Sequence, residues 1–129
     1  MLLKDVLDKK DNVFHLEGSS DSAILQAEEA LGLRFSDDYK MYLKQYGLLS
    51  VGSHEFTGIC ESTRLNVVES TLRERAENAN LSDDMYLLEQ IGVENMTIWQ
   101  NSHGKIFEVK YLQPPKEICG SLLEYIERI

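Results

Sequence analysis

The chain has 129 residues, of which 43% are apolar and 27% are charged, and its formal net charge at pH 7 is −9. This length predicts one domain over residues 1–129, and the apolar content is sufficient for a hydrophobic core. The acidity argues against nucleic acid and anionic membranes as direct partners, because both repel a negatively charged surface. Basic proteins are the macromolecular partners that this charge favours.

The first predicted helix covers residues 2–9 and precedes a turn-rich stretch at residues 12–20. The apolar side chains of this first helix lie on one side: Leu2, Leu3, Val6 and Leu7. A second helix is predicted to begin with Ser20 and Asp21 as caps and to end at Gly32, where a left-handed residue is expected. The apolar side chains of the second helix have helical spacing: Ile24, Leu25, Ala27 and Leu31.

The clearest helix start is Ser36-Asp37-Asp38. A serine can cap the helix there, and two carboxylates lie at the positive end of the helix dipole. Large side chains at i, i+3, i+4 and i+7 then share one face: Tyr39, Tyr42, Leu43 and Tyr46. We expect this face to pack in the core with its hydroxyls reaching the surface, and Gly47 to end the helix.

Residues 50–60 mix glycines with β-forming residues, which predicts a short hairpin or two edge strands. Asn66 and Glu69 then have the spacing of a capping box. The helix behind them is predicted to bury one set of apolar side chains: Val68, Leu72, Ala76 and Ala79.

The last third of the chain predicts strands and a final helix. Residues 85–93 suit either a strand or an irregular apolar segment, residues 96–100 suit a strand, and residues 101–104 suit a turn. The next strand is expected to be half-buried, because apolar and charged residues alternate in it: Phe107, Val109 and Tyr111 are the apolar ones. The strand at residues 96–100 and the strand that contains Phe107 and Val109 form a predicted hairpin.

Pro114-Pro115 is predicted to break the sheet and to start the last helix. Apolar residues form a stripe along that helix: Ile118, Leu122, Tyr125, Ile126 and Ile129. The stripe can be buried in the core or against a second copy, so a monomer and a weak homodimer both remain open. The order of the elements predicts an α+β fold with a mixed, mostly antiparallel sheet flanked by helices.

Side chains that could support catalysis or bind a metal are scattered along the chain. The histidines His15, His54 and His103 are isolated, and no CxxC or HExxH motif occurs. Ser53-His54-Glu55 contains the residue types of a catalytic triad, but adjacent residues of a strand point to opposite faces. We therefore predict no catalytic residue, no metal, no cofactor and no enzymatic activity. The remaining enzymatic alternative is Cys60 acting with a distant histidine.

Cys60 and Cys119 are predicted to be free thiols in a reducing cytoplasm, and a disulfide between them is the alternative. Residues 1–8 are charged from Lys4 onward and lack the apolar core of a signal peptide. No apolar run approaches the roughly 18 residues of a membrane-spanning helix. The sequence therefore predicts a cytoplasmic protein without membrane contact.

Acidic residues are concentrated in the middle of the chain. Residues 51–100 contain nine acidic and three basic side chains, and no basic residue occurs between Arg75 and Lys105. One interpretation is a solvated face that keeps the protein soluble. The other is a patch that steers a cationic partner and fixes its register. The candidate partner-binding residues are Glu61, Glu77, Asp83, Asp84, Glu89 and Glu94.

One stretch of the sequence resembles a known family: Ile24-x-x-x-Glu28-x-x-Leu31-Gly32-Leu33-x-Phe35-Ser36-x-Asp38-Tyr39-Lys40-x-Tyr42-Leu43-x-x-Tyr46-Gly47. It is similar to the opening block of the SUKH superfamily. The same pattern fits Gly52, Gly58, the Trp99-x-x-x-x-Gly104 hairpin and Ser121-Leu122-x-x-Tyr125-Ile126. The resemblance runs from about residue 20 to the end of the chain. One departure is Ser36, where the family usually has proline.

The SUKH superfamily groups the yeast Smi/Knr-type regulators of cell-wall synthesis, the bacterial Syd protein and many bacterial immunity proteins. The resemblance implies an α+β domain without enzymatic activity. For a chain of this size it implies an immunity protein that binds and neutralises a cognate polymorphic toxin, with a basic nuclease domain as the expected partner. The alternative is a regulatory or scaffold protein that binds a cellular partner, as the yeast relatives do.

Overall fold

Five helices and seven strands occur in the computed structural model, which describes residues 2–78, 80–93 and 95–129. The helices are α1 (Leu3–Leu7), α2 (Asp21–Leu31), α3 (Asp37–Tyr46), α4 (Val67–Glu77) and α5 (Leu122–Arg128). The strands are β1 (Val13–His15), β2 (Leu49–Val51), β3 (His54–Glu55), β4 (Tyr86–Ile91), β5 (Met96–Gln100), β6 (Ile106–Val109) and β7 (Lys116–Cys119). The predicted α+β class is confirmed.

The strands form two antiparallel sheets, one with the order β1-β2-β3 and the other with the order β4-β5-β6-β7. Just beyond β3, the N–H of Thr57 donates to the carbonyl of Leu88 in β4 at 2.8 Å. A parallel bridge joins Gly58 to Asn66. The predicted antiparallel character is therefore present, divided between two sheets that meet at residue 57.

The caps of the two central helices form as the sequence predicts. The Ser20 hydroxyl accepts from the N–H of Ala23 at 3.1 Å, and the Ser36 hydroxyl accepts from the N–H of Tyr39 at 3.3 Å. Gly32 ends α2 with φ 65°, and Gly47 ends α3 with φ 68°. Because these signals are local, they determine where α2 and α3 begin and end.

Aromatic rings fill the space between α3 and β4. Tyr39 contacts Phe35, Tyr42 and Tyr86 at centroid distances of 4.9–5.2 Å. The Tyr42 hydroxyl donates to the Thr57 carbonyl at 2.6 Å, so it is satisfied in the interior. The expectation that these hydroxyls reach the surface is wrong for both Tyr39 and Tyr42, which are at most 1% exposed. Burial raises the pKa of both phenols.

The buried side of α4 differs from the predicted one. Leu72 is 49% exposed and Ala76 is also exposed, whereas Ser70 and Thr71 are fully buried. The polar pair is buried because each hydroxyl has a partner. That of Ser70 donates to the Asn66 carbonyl at 2.7 Å, and that of Thr71 accepts from the N–H of Leu87 at 3.0 Å.

The predicted capping box at the start of α4 forms only in part. The Asn66 side chain caps the helix by accepting from the N–H groups of Val68 and Glu69. Glu69 does not complete the capping box, because the Asn66 N–H donates to the Ser62 carbonyl at 2.8 Å. Ala79 lies outside the described residues.

The end of the chain departs from the prediction at the two prolines. They lead into strand β7, which pairs with β6, and α5 begins only after the Ser121 cap. Ile118 therefore belongs to a strand. The buried apolar residues of α5 pack into the core of the chain itself: Leu122, Tyr125 and Ile126. In β6, Val109 is buried and Phe107 packs against the same apolar cluster, as the alternation predicts, whereas Ile106 is buried in the main core. Tyr111 lies beyond the strand and is 52% exposed.

The N-terminal stretch expected to be turns contains β1, which pairs with β2. Cys60 and Cys119 are both free thiols, as predicted, although only Cys119 is fully buried. Among the described residues, none of the helices is long and apolar enough to span a bilayer.

Candidate partner-binding surface

Two of the predicted acidic residues lie in neighbouring elements, the end of α4 and the segment before β4. Glu77 is exposed in the last turn of the helix, and Asp83 is exposed in the segment that leads into β4. Arg75 connects the two elements, because its guanidinium donates to the carbonyls of Asp83 and Met85, each at 3.0 Å. Both bonds come from Nη2, whereas the buried Nε of Arg75 has no hydrogen-bond partner among the described residues. In the described part of the chain, Glu77 and Asp83 form no ion pair with this arginine.

Asp84 lies next to them and is held in one orientation. Its carboxylate accepts from the Ser82 hydroxyl at 2.8 Å and from the Ser102 hydroxyl at 3.2 Å. The second bond ties the segment before β4 to the turn between β5 and β6. The negative charge of Asp84 is therefore fixed in position relative to two strands.

Glu61 lies at the opposite end of α4, in the loop that precedes the helix. Asn66 holds this loop by donating from its side-chain amide to the Cys60 carbonyl at 2.9 Å. Glu69, exposed in the first turn, is close by: the pKa of the Cys60 thiol is raised by burial and further by the charge of Glu69. A second pair of carboxylates thus flanks the helix start.

An exposed leucine lies between these two acidic ends. Leu72 is 49% exposed and occupies the middle of α4, which has 11 residues and is therefore about 16 Å long. We group the exposed and half-exposed residues of α4 and its flanking segments as the α4 face: Glu61, Glu69, Leu72, Glu77, Asp83 and Asp84. The same helix also exposes Arg73, which pairs with Glu74 at 3.6 Å. An apolar centre within a charged rim is the usual anatomy of a protein-binding surface.

Glu89 does not belong to this surface, contrary to the sequence-based expectation. Its residue is 1% exposed, and its carboxylate accepts from the Tyr125 hydroxyl at 2.5 Å and contacts His54 Nδ1 at 3.0 Å. Residues 86–89 are all buried because both faces of β4 are covered. Burial raises the pKa of Glu89, and the bonds from Tyr125 and His54 partly offset this. Glu94, the last predicted residue, lies outside the described residues.

A family comparison identifies the fold to which this surface belongs. The model of the SUKH_5 family, described as SMI1-KNR4 cell-wall, matches residues 1–129. The chain belongs to the SUKH family. The resemblance carried by residues 24–47 is thereby confirmed. No curated protein matches the chain. SUKH proteins are generally non-catalytic immunity or regulatory proteins.

The block that resembles other SUKH proteins is structural in this chain. Leu31, Tyr39 and Leu43 are buried in the core, Tyr46 packs against it, and Gly47 turns the chain at the end of α3. None of them belongs to the α4 face. The matched residues of the SUKH signature therefore contribute to the scaffold.

The interior of the SUKH domain holds one arrangement with catalytic residue types. Glu89 and His54 resemble the carboxylate and base of a triad, but the Tyr125 hydroxyl occupies the second position on the carboxylate. Glu55, the acid adjacent in sequence, pairs with Arg64 at 2.9 Å instead. Within residues 2–78, 80–93 and 95–129, no cluster of three or more His, Cys, Asp or Glu side chains could hold a metal ion. Through Glu89, the side chains of His54 and Tyr125 join β3, β4 and α5.

Two members of the α4 face are not among the predicted partner-binding residues. The spacing of Leu72 predicts an apolar stripe in the core, and the spacing of Glu69 predicts a capping box. The signal that could have revealed both is the neighbouring pair Ser70 and Thr71, whose hydroxyls take the buried side of the helix.

Proposed function

We propose that this SUKH chain is an immunity protein that binds and neutralises a basic polymorphic toxin, with a nuclease domain as the toxin class. The α4 face is the proposed contact surface. The observation that carries the proposal is the exposure of Leu72, at 49%, between carboxylates at both ends of α4. Neutralisation takes place in the cytoplasm of the cell that makes both proteins.

Electrostatics favours this kind of partner. A nuclease holds the phosphates of its substrate with lysine and arginine, so its binding cleft is basic. A chain of net charge −9 with exposed carboxylates attracts such a cleft over a distance of about 8–10 Å at physiological salt. Complementary charge mainly accelerates association and excludes wrong partners.

Leu72 adds a hydrophobic contribution to the proposed contact. Covering a half-exposed leucine removes apolar surface from water and contributes about 1 kcal/mol. Surrounding carboxylates then limit water access to the contact, as the polar rim of an interface does. We therefore expect Leu72 to slow dissociation, whereas Glu77 and Asp83 accelerate association.

Co-expression tests the proposed function. The toxin to use is the protein encoded beside this gene, and the readout is growth of cells that express the toxin with and without this chain. The proposal expects growth to be restored by the wild-type chain. Well-expressed chain that leaves growth arrested contradicts it, and capture of housekeeping proteins in a strain without a toxin locus would instead favour the regulatory or scaffold role.

A pair of charge-reversal variants tests the surface. E77K/D83K changes two exposed carboxylates of the α4 face, and E29K/E127K makes the same change in net charge on α2 and α5. We expect E77K/D83K to weaken protection and E29K/E127K to retain it. Equal loss in both variants would show that net charge acts without this particular surface.

A further inference from the structure

Strand β1 forms an outer edge of the three-stranded sheet, because the order of that sheet is β1-β2-β3. Its ladder to β2 uses alternate residues. The N–H of Leu16 donates to the Leu48 carbonyl at 3.1 Å, and the N–H of Gly52 donates to the Asn12 carbonyl at 3.1 Å. In an antiparallel ladder this spacing means that Asn12, Phe14 and Leu16 direct their backbone groups toward β2.

The backbone groups of Val13 and His15 consequently point away from the sheet. Within the described parts of the chain, their N–H and C=O groups have no hydrogen-bond partner. These four groups form a short open edge. Open edges are usually protected by lysine, proline, a covering segment or a short strand length. Strand β1 has three residues, and Val13–His15 contains neither lysine nor proline.

Large apolar side chains stand beside this open edge. Phe14 is 58% exposed and Leu16 is 39% exposed, and both lie on the same face of the strand because they are two positions apart. Val13 packs against the core on the other face, and the His15 ring contacts Tyr46 edge-on at 5.1 Å. A strand added at this edge would gain backbone hydrogen bonds and would cover Phe14 and Leu16.

The charges around the edge favour a basic occupant. Asp11 and Glu17 flank the strand and are exposed, and Asp8 is close enough to Tyr46 to raise its phenol pKa in addition to the effect of burial. Lys10 is occupied by the carbonyl of Ile129 at 2.5 Å, which leaves Lys9 as the exposed cation nearest in sequence. Acidic groups therefore predominate along the edge.

A second copy of the chain fits this edge poorly. The antiparallel register that pairs Val13 with His15 of another copy also places Asp11 opposite Glu17 at both ends. Like charges directly opposite each other destabilise a strand pair, and each copy carries a net charge of −9. The geometry points to a different occupant: we infer that β1 accepts an extended, lysine- or arginine-bearing segment of a protein partner as an additional antiparallel or parallel strand.

This inference goes beyond the proposed function and does not depend on it, because the α4 face and β1 are separate elements. Its probe is the synthetic peptide acetyl-Lys-Val-Lys-Val-Lys-Val-Lys-amide, titrated into the isotope-labelled full chain while the amide NMR signals are followed. The expected result is that the Val13 and His15 amides shift and become protected from exchange. The same peptide with glutamate in place of lysine is expected to leave them unchanged.

Two variants at one position isolate the backbone donor. His15→Pro removes the outward N–H while the ladder to β2 is kept, and His15→Val removes the same imidazole but keeps the N–H. We expect His15→Pro to bind the lysine peptide about tenfold more weakly than His15→Val, which corresponds to the loss of about one hydrogen bond. Thermal unfolding of both variants checks that the fold is retained.

Three results would overturn the inference. The first is a lysine peptide that leaves the Val13 and His15 amides unshifted, whether or not it binds elsewhere. The second is equal affinity of the folded His15→Pro and His15→Val variants. The third is sedimentation of the chain alone as a dimer whose Val13 and His15 amides are already protected, since a second copy would then occupy the edge. Growth rescue by the chain is a separate measurement, so failure of either proposal is recognised independently.

Discussion

The hydroxyl of Tyr125 donates to the Glu89 carboxylate at 2.5 Å and joins α5 to β4 in the interior. On its other side the same carboxylate contacts His54 of β3 at 3.0 Å. Three elements that are distant in sequence thus converge on one buried acid. Both oxygens of Glu89 have partners within the fold, so this acid is not available to a partner protein.

Replacing Glu89 with glutamine is predicted to change the pH dependence of stability. Burial raises the pKa of Glu89 in the folded chain, whereas the unfolded carboxyl titrates near its usual value of about 4.3. Above that pH the unfolded state releases its proton first, so the free energy of unfolding decreases until the pH passes the folded-state pKa. Glu89→Gln removes this decrease, and urea unfolding from pH 4 to pH 8 measures it.

Glu55→Gln is the matched control for this prediction. The hydrogen bond from Arg64 lowers the pKa of Glu55, so its stabilising contribution is present above the unfolded pKa and is lost as the pH falls. The two variants should therefore alter the pH profile in opposite directions. An unchanged profile for Glu89→Gln would mean that Glu89 titrates as it does in the unfolded chain.

Asp38 is predicted to be one of the most sensitive polar positions. Its carboxylate accepts from the Gln100 side chain at 3.0 Å, from the N–H of Leu122 at 2.8 Å and from the Ser36 hydroxyl. Hydrogen bonds to a charged group contribute about 1.5–3 kcal/mol each, so Asp38→Ala should lower the free energy of unfolding by at least about 2 kcal/mol.

The neighbouring Asp37 provides the comparison, because it is exposed and shares the first turn of α3. Asp37→Ala should cost only about 0.3–1 kcal/mol through the helix dipole. Denaturant unfolding of both variants separates the two effects. Equal losses would show that the dipole matters more than the bonds to β5 and α5.

A close approach of two backbone segments requires glycine at position 58. A Cβ there would lie 1.9 Å from the carbonyl oxygen of Gly47, and the Gly58 carbonyl also accepts from the N–H of Val67 at 2.8 Å. Gly58→Ala is therefore expected to destabilise the fold by about 1–3 kcal/mol or more. Gly92→Ala serves as the control, because no atom of the described residues other than its chain neighbours lies within 4 Å of the added Cβ. Its melting temperature should stay near that of the wild-type chain.

Local signals account for the parts of the fold that the sequence predicts well. Ser20 and Ser36 cap α2 and α3 with their own hydroxyls, and Gly32 and Gly47 end these helices with positive φ. Such interactions span a few residues and do not depend on the rest of the chain. The turn at residues 101–104 belongs to the same class, with Gly104 at φ 89°.

Nonlocal contacts decide the parts that were predicted wrongly. Thr71 is buried in α4 because its hydroxyl accepts from the N–H of Leu87, a partner in a strand formed later in the chain. The prolines before β7 suit a strand entry as well as a helix start, and only the pairing with β6 selects between the two. In the candidate site, the charge of Asp83 could be predicted, whereas the exposure of Leu72 and the burial of Glu89 depend on packing.

The association rate between this chain and the inactivated product of the neighbouring gene, the proposed toxin, is the most direct test of the proposed function. We expect a stable complex whose association slows several-fold as salt is raised from about 50 mM to 500 mM. We also expect E77K/D83K to associate several-fold more slowly than E29K/E127K at low salt. No complex with an active-site variant of that toxin, or equal association rates for the two double variants, would contradict neutralisation through the α4 face.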